Sequence, residues 1–485
     1  MNKAIIFSLE FDMPYRSLGA HRIATIMRNS SWNVEVIDWA NYFSSDELKY
    51  IANSRIDSNT KIIGFSCNFG LFTIEIDQYI TWIKKTYPHV KVIIGGQYLP
   101  DMISKDADYY ITGFGENAII AVMKYLESNG PSVKFKIIHN KKVIDGNIFY
   151  PSFPMKNLDV KYEKRDYLLP EEWVGVEMAR GCKFECPYCN FPILGVKGDY
   201  TRDVDNYYFQ LKRNYDDWGL TKYLVADETF NDTTEKIIKF ADITESLDFT
   251  PYLSGFIRAD LLVIRQQDKE HLARMGFYGQ FYGVETMNSE TSKVIGKGIK
   301  TERLQEGLLD INNYYSVRKL PYRGTLSLVI GLPKETVQSQ ENTFTWIKNN
   351  WLKNYQSVKS FPLEIPSPDS TFLKPSKMSN DLEKYGYKIN VEEEYNDNYN
   401  AMQHGHVINW KNDEFTNSTA KQIVDNFNDS IEEKNPLNNF TFSYFLDHPV
   451  DLIKNNFTEN FKDEITQIEK RNNNINRYKA LKLNQ

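Results

Sequence analysis

Residues 173–189 read WVGVEMARGCKFECPYC. Gly175 to Met178 is a strand-like run, and the loop behind it holds Cys182, Cys186 and Cys189. The chain has four cysteines, the other being Cys67, and three of them within eight residues is not how a disulfide framework distributes its thiols. Metal or cluster ligation is the reading this spacing supports. A cubane [4Fe-4S] cluster normally takes four thiolates, so a three-cysteine site leaves one iron open to a further ligand. Structural zinc is the alternative, but it needs a fourth Cys or His nearby, and the next histidine downstream is His271.

The run at Gly175 is the first of six. Tyr223 to Ala226, Tyr252 to Ile257, Gln280 to Val284, Thr325 to Ile330 and Ser357 to Phe361 follow, separated by amphipathic segments of helix length. Six repeats predict a partial (β/α)6 barrel over 171–365, with its chemistry at the carboxyl ends of the strands. Upstream, Ala4 to Leu9, Val34 to Asp38, Lys61 to Cys67, Val90 to Ile94 and Tyr109 to Thr112 alternate with helical stretches such as Ala20 to Arg28, Ile76 to Lys85 and Asn117 to Leu126. This predicts a doubly wound, Rossmann-like α/β layer over 1–130 that binds ligands beyond its strand ends. Residues 131–170 read as a connector with a hairpin (Phe135 to Ile138, Val143 and Ile144) and a stretch punctuated by Pro151 and Pro154. Residues 366–485 are polar and read as a helical C-terminal region, with helices at Thr419 to Phe427 and Val450 to Lys454 and a solvated terminal helix within Glu464 to Lys482.

Composition narrows the function classes. The 485 residues are 41% hydrophobic and 14% aromatic, which suits a folded chain of several domains, and the formal charge is -6. Without a long basic run, duplex nucleic acid is not an expected partner. No apolar stretch is long enough for a bilayer, and Glu10 and Asp12 interrupt the opening before a signal-peptide core forms, so the expectation is a cytoplasmic protein without a membrane partner.

The cysteine spacing on the first strand-loop of a partial barrel resembles the radical S-adenosylmethionine (SAM) superfamily, over roughly residues 173–365. The resemblance implies that SAM chelates the open iron of a [4Fe-4S] cluster held by Cys182, Cys186 and Cys189. One electron then cleaves a carbon–sulfur bond, and the resulting 5'-deoxyadenosyl radical abstracts hydrogen from unactivated carbon. It further implies that Tyr188 lies at the adenine and that Asp227 and Glu228, ending the second strand, hold the SAM ammonium. A capping box at Asp232-Thr-Thr-Glu235 serves the helix that follows and so leaves these two acids available. Arg258 suits a carboxylate of cofactor or substrate, with an ion pair to Asp260 as the structural alternative. By the same resemblance Glu285 reaches the ribose or methionine end, Lys297 of Gly296-Lys297-Gly298 pairs with the SAM carboxylate, and Gly331 and Pro333 line the adenine.

The layer before the barrel resembles the cobalamin-binding domain of cobalamin-dependent radical SAM enzymes. It implies a corrin over the strand ends at Asn68, Gly95, Gly96, Gln97, Gly113, Gly115 and Glu116, where glycines let a flat ring approach the backbone. The loop after the first strand, Asp12-Met-Pro14-Tyr-Arg-Ser17, lacks the axial histidine of many cobalamin proteins. His21 falls on a predicted helix, so cobalamin is expected without a histidine lower ligand. The activity implied is methyl transfer to an unactivated carbon of a small molecule or peptide, with a flavodoxin- or ferredoxin-type electron donor. A non-methylating oxidation, cyclisation or rearrangement, and a non-catalytic cobalamin or cluster sensor, are the alternatives.

Overall fold

The computed structural model describes residues 1–9, 15–67, 74–96, 106–128, 132–138, 140–151, 158–170, 172–189, 200–354, 356–368, 376–391, 407–432 and 472–484. Asn68, Gln97, Asp12, Pro14 and the predicted helix Val450 to Lys454 lie outside them. Parallel strands covered on both faces read as continuous apolar runs, and such runs build two seven-stranded sheets.

In chain order the strands are β1 (Lys3–Ser8), β2 (Tyr15–Arg16), β3 (Asn33–Ile37), β4 (Thr60–Ser66), β5 (Lys91–Gly95), β6 (Tyr109–Thr112), β7 (Lys136–Ile138) and β8 (Lys141–Asp145). Then come β9 (Trp173–Val176), β10 (Lys222–Val225), β11 (Tyr252–Arg258), β12 (Phe277–Glu285), β13 (Arg323–Ile330) and β14 (Ser357–Pro362). The first sheet runs β3-β1-β4-β5-β6-β8-β7, parallel apart from the β7–β8 hairpin. Its helices α1 (Leu18–Asn29), α2 (Ser45–Arg55), α3 (Ile74–Thr86) and α4 (Gly115–Ser128) seal two cores. One holds Ile5, Phe7 and Ile63 under α2 and α3, and the other holds Ala4, Ile6 and Ile62 under α1 and α4. The order β3-β1-β4-β5-β6 reverses direction beside β1, which leaves a crevice at the strands' carboxyl ends.

The second sheet runs β14-β13-β12-β11-β10-β9, all parallel, the partial barrel expected from the sequence, and β2 closes its edge by pairing with β9. The C-terminal region caps it. Helix Asn417–Glu432 lies along β14, and Trp410, fully buried, donates from Nε1 to the carbonyl of Leu363 at 2.9 Å.

Two segments lie where the sequence did not put them. The hairpin joins the first sheet through β6–β8 pairing instead of standing in a connector. The helix at 472–483 is not solvated: Ile475, Tyr478 and Lys482 are buried, a spacing of three and four that gathers them on one helical face. Tyr478 accepts from the backbone N–H of Asp38 at 2.9 Å, and Lys482 Nζ lies 2.9 Å from Glu35. A buried Arg16 ties these pieces together. Its guanidinium donates to Asp38 (2.8 Å), Glu172 (2.9 Å) and the carbonyls of Asp166 and Tyr167, between the rings of Trp39 and Tyr478. His21 is buried in the same knot, Nε2 at 2.8 Å from Asp38 and its ring edge-on to Tyr162.

Candidate active site

One cavity of about 640 Å³ opens between the carboxyl ends of the two sheets. Cys182, Cys186, Cys189 and Tyr188 reach it from the loop after β9, and Asp227 and Glu228 from the end of β10. Arg258 ends β11 and Glu285 ends β12, with Lys297 beside it. From the first sheet come Gly95, Gly96, Gly113, Gly115 and Glu116.

The cysteine loop is held from beneath. Asp227 Oδ1 accepts from the N–H of Met178 at 2.9 Å, and Glu228 accepts from the N–H of Gly181 at 2.8 Å. Thr229 Oγ1 lies 3.3 Å from Cys182 Sγ. The acids are therefore less available than the sequence suggested, because both already grip backbone at the entry to the loop. Their predicted neighbour shifts too: the helix Thr234–Glu245 is capped by Thr233, whose side chain accepts from Lys236 N, while Asp232 pairs with Lys236. Asp227 Oδ2 keeps no hydrogen-bond partner among the described residues although it is buried. Burial pushes the Asp227 carboxyl up to about 7, against Lys236 and the N–H groups of Met178 and Ala179.

Arg258 takes the structural alternative. It makes a two-pronged bond to Asp260 (3.0 and 2.6 Å) while stacking on Phe184 and reaching within 4.0 Å of Cys186 Sγ. Burial raises the Cys186 thiol despite the opposing pull of Arg258 and Lys297. Lys297 donates to the carbonyl of Gly283 and lies 3.3 Å from Glu285, so cation and anion form one pair on the wall. A side chain at Gly283 would run into it, with Glu285 Oε1 2.8 Å from the site of a Cβ. Glu285 itself sits at φ +65, left-handed backbone that a glutamate adopts only when its surroundings impose it. Next to it, Thr286 donates to the buried Glu335 at 2.7 Å.

Gly331 and Pro333 are not brought to the cavity. Their loop is buried under the C-terminal region: Tyr387 donates to the Gly331 carbonyl at 2.7 Å and Trp410 packs over Gly331. At the first sheet, Glu116 is committed to protein, 2.9 Å from Arg180 and 3.6 Å from Arg22. Gly113, at φ +68, leaves room for Asn147, whose Oδ1 accepts from Phe114 N. From there the cavity runs on as an apolar slot between α1 and the sheet, past Ile6, Ile23, Met27, Ile62 and Gly64.

The sequence reading missed Arg180, Glu177, Arg22, Phe184 and Thr229. Glu177 and Arg180 were findable as charges in the last strand turn before Cys182. Arg22 was not, because only the docking of α1 on β9 brings it in, where Leu18 Cβ lies 2.7 Å from the place a side chain at Gly175 would take.

Among the described residues no three His, Cys, Asp or Glu side chains gather closely enough to hold a metal ion. Cys182, Cys186 and Cys189 all line the same cavity, and each is half-buried.

The architecture is that of solved cobalamin-dependent radical SAM enzymes, at a sequence identity that establishes the fold alone. The cobalamin-dependent SAM radical enzyme OxsB, solved with aqua-cobalamin and SAM, superimposes with a TM-score of 0.55 at 16% identity, covering 72% of this chain and 52% of that one. The radical SAM methyltransferase TsrM from Kitasatospora setae, solved with tryptophan substrate and a SAM analogue, gives 0.59 at 13% identity over 81% and 79%. A TsrM structure with cobalamin and a [4Fe-4S] cluster gives 0.56 at 14%. The chain spans about half the length of OxsB. No family model matches the sequence, and no curated protein does.

Proposed function

We propose that this protein is a cobalamin-dependent radical SAM enzyme that methylates an unactivated carbon. The observation that carries the reading is a cavity that joins a three-cysteine loop to the glycine-lined end of a doubly wound sheet. Bound there, a [4Fe-4S] cluster with SAM supplies a carbon-centred radical, and a corrin supplies a methyl carrier.

Cys182, Cys186 and Cys189, all half-buried and all lining the cavity, would hold the cluster, three thiolates leaving one iron for a further ligand. Asp227 Oδ2, buried and without a hydrogen-bond partner among the described residues, is suited to accept from an ammonium, beside Glu228. The Lys297–Glu285 pair offers a cation for a carboxylate and an acceptor for hydroxyls. Arg258, fixed by Asp260, keeps a positive charge beside Cys186, and Tyr188 lends an aromatic face to the same wall. On the far side, Gly95 and Gly96 line the cavity without side chains and would face a flat ring, the space beside Gly113 and Gly115 being filled by Asn147 and Ile23, and the apolar slot beyond Gly64 would take its appended nucleotide. His21 is engaged with Asp38, so no lower ligand is assigned to it. A flavodoxin- or ferredoxin-type protein would deliver the electrons.

Anaerobic reconstitution with iron and sulfide, followed by hydroxocobalamin titration and incubation with SAM and reductant, tests this. Expected are the broad brown absorbance of a cubane, uptake of one corrin and release of 5'-deoxyadenosine. A colourless zinc protein would overturn the reading. A product without an added CH2 would move it to the non-methylating chemistry.

A further inference from the structure

The two halves of the cavity meet at one side chain. Arg180 stands two residues before Cys182, and its guanidinium bonds both oxygens of Glu177, one at 2.8 Å, at the end of β9. The same guanidinium donates to Glu116 Oε1 at 2.9 Å, in the first turn of α4, and lies 5.0 Å from the centre of the Phe114 ring. Glu116 is in turn 3.6 Å from Arg22 on α1. All four charged groups are largely buried, where a charge that loses its partner is expensive.

Neither end of this link is slack. On the first sheet the turn Gly113-Phe114-Gly115 is pinned, because Asn147 holds Phe114 N at 3.0 Å and a side chain at Gly146 would strike the Phe114 carbonyl at 1.8 Å. On the second, Gly181 is held by Glu228 and Cys182 touches Thr229. A group seated against Gly113 and Gly115 cannot shift the turn without pulling on Glu116, and the pull is delivered to the cysteine loop two residues before Cys182.

We propose that Arg180 is a positioning residue that couples the two cofactor seats: through Glu116 it makes corrin binding on the first sheet and cluster loading at the cysteines mutually dependent. The inference rests on the functional reading above. Coupling between sites is reciprocal, so it is read as a ratio of dissociation constants.

Hydroxocobalamin is titrated by absorbance into wild-type protein with and without its reconstituted cluster. The two Kd values differ by about fivefold or more, the lower end of ordinary coupling. In Arg180→Lys, which keeps the charge and loses the planar fork, and in Glu116→Gln, the ratio falls to within about twofold of one while each cofactor still binds alone. The g-values of the reduced cluster shift on adding hydroxocobalamin to wild type and stay put in Glu116→Gln. A wild-type ratio of one, a ratio unchanged in the variants, or variants that cannot bind hydroxocobalamin even without a cluster overturns the proposal. Wild-type protein that takes up no cluster, or no corrin, overturns the functional reading itself.

Discussion

The carboxylate of Glu228 accepts a hydrogen bond from the backbone N–H of Gly181 at 2.8 Å, so an acid at the end of β10 holds the residue directly before Cys182. A bond to a charged acceptor of this kind contributes about 1.5–3 kcal/mol, here spent on the shape of a loop. Replacing Glu228 with Ala removes the acceptor, whereas Gln keeps a carbonyl oxygen in its place. Iron bound per chain after anaerobic reconstitution should fall at least about twofold in Glu228→Ala and stay close to wild type in Glu228→Gln. Equal iron content in the Ala variant and wild type would show that the loop needs no such support.

The terminal helix is expected to be part of the first sheet's core. Tyr478 is buried, lies edge-on to Trp39 with centroids 5.2 Å apart, and accepts from Asp38 N. Tyr478→Ala leaves a cavity and an orphaned N–H, a loss of about 3–5 kcal/mol. Urea denaturation followed by tryptophan fluorescence should show a lower midpoint with an unchanged slope. A midpoint within error of wild type would mean the helix merely rests on the surface.

The sequence reading succeeded where information is local and failed where it is not. Apolar runs at β1, β4, β5 and β6 and the six barrel strands were visible because a strand covered on both faces must be apolar throughout. The cysteine trio was visible because three thiols carried on one loop are close in sequence. Arg16, Arg22 and Tyr478 were not, since their hydrogen-bond partners lie up to 442 residues away and an arginine reads as solvated until its carboxylates are placed. Gly331 and Pro333 went astray for a related reason: a Gly-Leu-Pro turn after a barrel strand looks alike whether it faces the cavity or, as here, Trp410. Glu116 does line the cavity, but its partner Arg180 follows β9 of the other sheet.

Asp227 gives a pH dependence with a definite sign. Burial lifts its carboxyl to about 7, above the value of an unfolded chain, so the folded protein holds a proton that the unfolded chain releases. The stability this proton allows is complete below the unfolded pKa and is lost as pH rises through about 7. Asp227→Asn cannot titrate and keeps an acceptor for Met178 N. Between pH 5 and 8 the cofactor-free wild type should therefore lose about 2–3 kcal/mol relative to Asp227→Asn. Parallel stability curves for the two proteins would place Asp227 in contact with water or with a cation that neutralises it.

Gly331 separates a packing role from a binding one. It adopts φ +97, and a Cβ there would come within 2.5 Å of the Trp410 ring, which is fully buried and anchored to the Leu363 carbonyl. Ala must therefore either leave the left-handed region or push the indole aside, and the combined strain and overpacking cost about 2–4 kcal/mol. Because Gly331 does not line the cavity, the molecules that remain folded should bind SAM as wild type does. Thermal unfolding alongside equilibrium dialysis of SAM on reconstituted protein distinguishes the cases. A loss of stability with unchanged SAM affinity assigns the loop to the interface with the C-terminal region. An affinity loss of tenfold or more at unchanged stability would return Gly331 to the adenine, where the resemblance implied it should be, and would mean that the loop turns from Trp410 toward the cavity once SAM arrives.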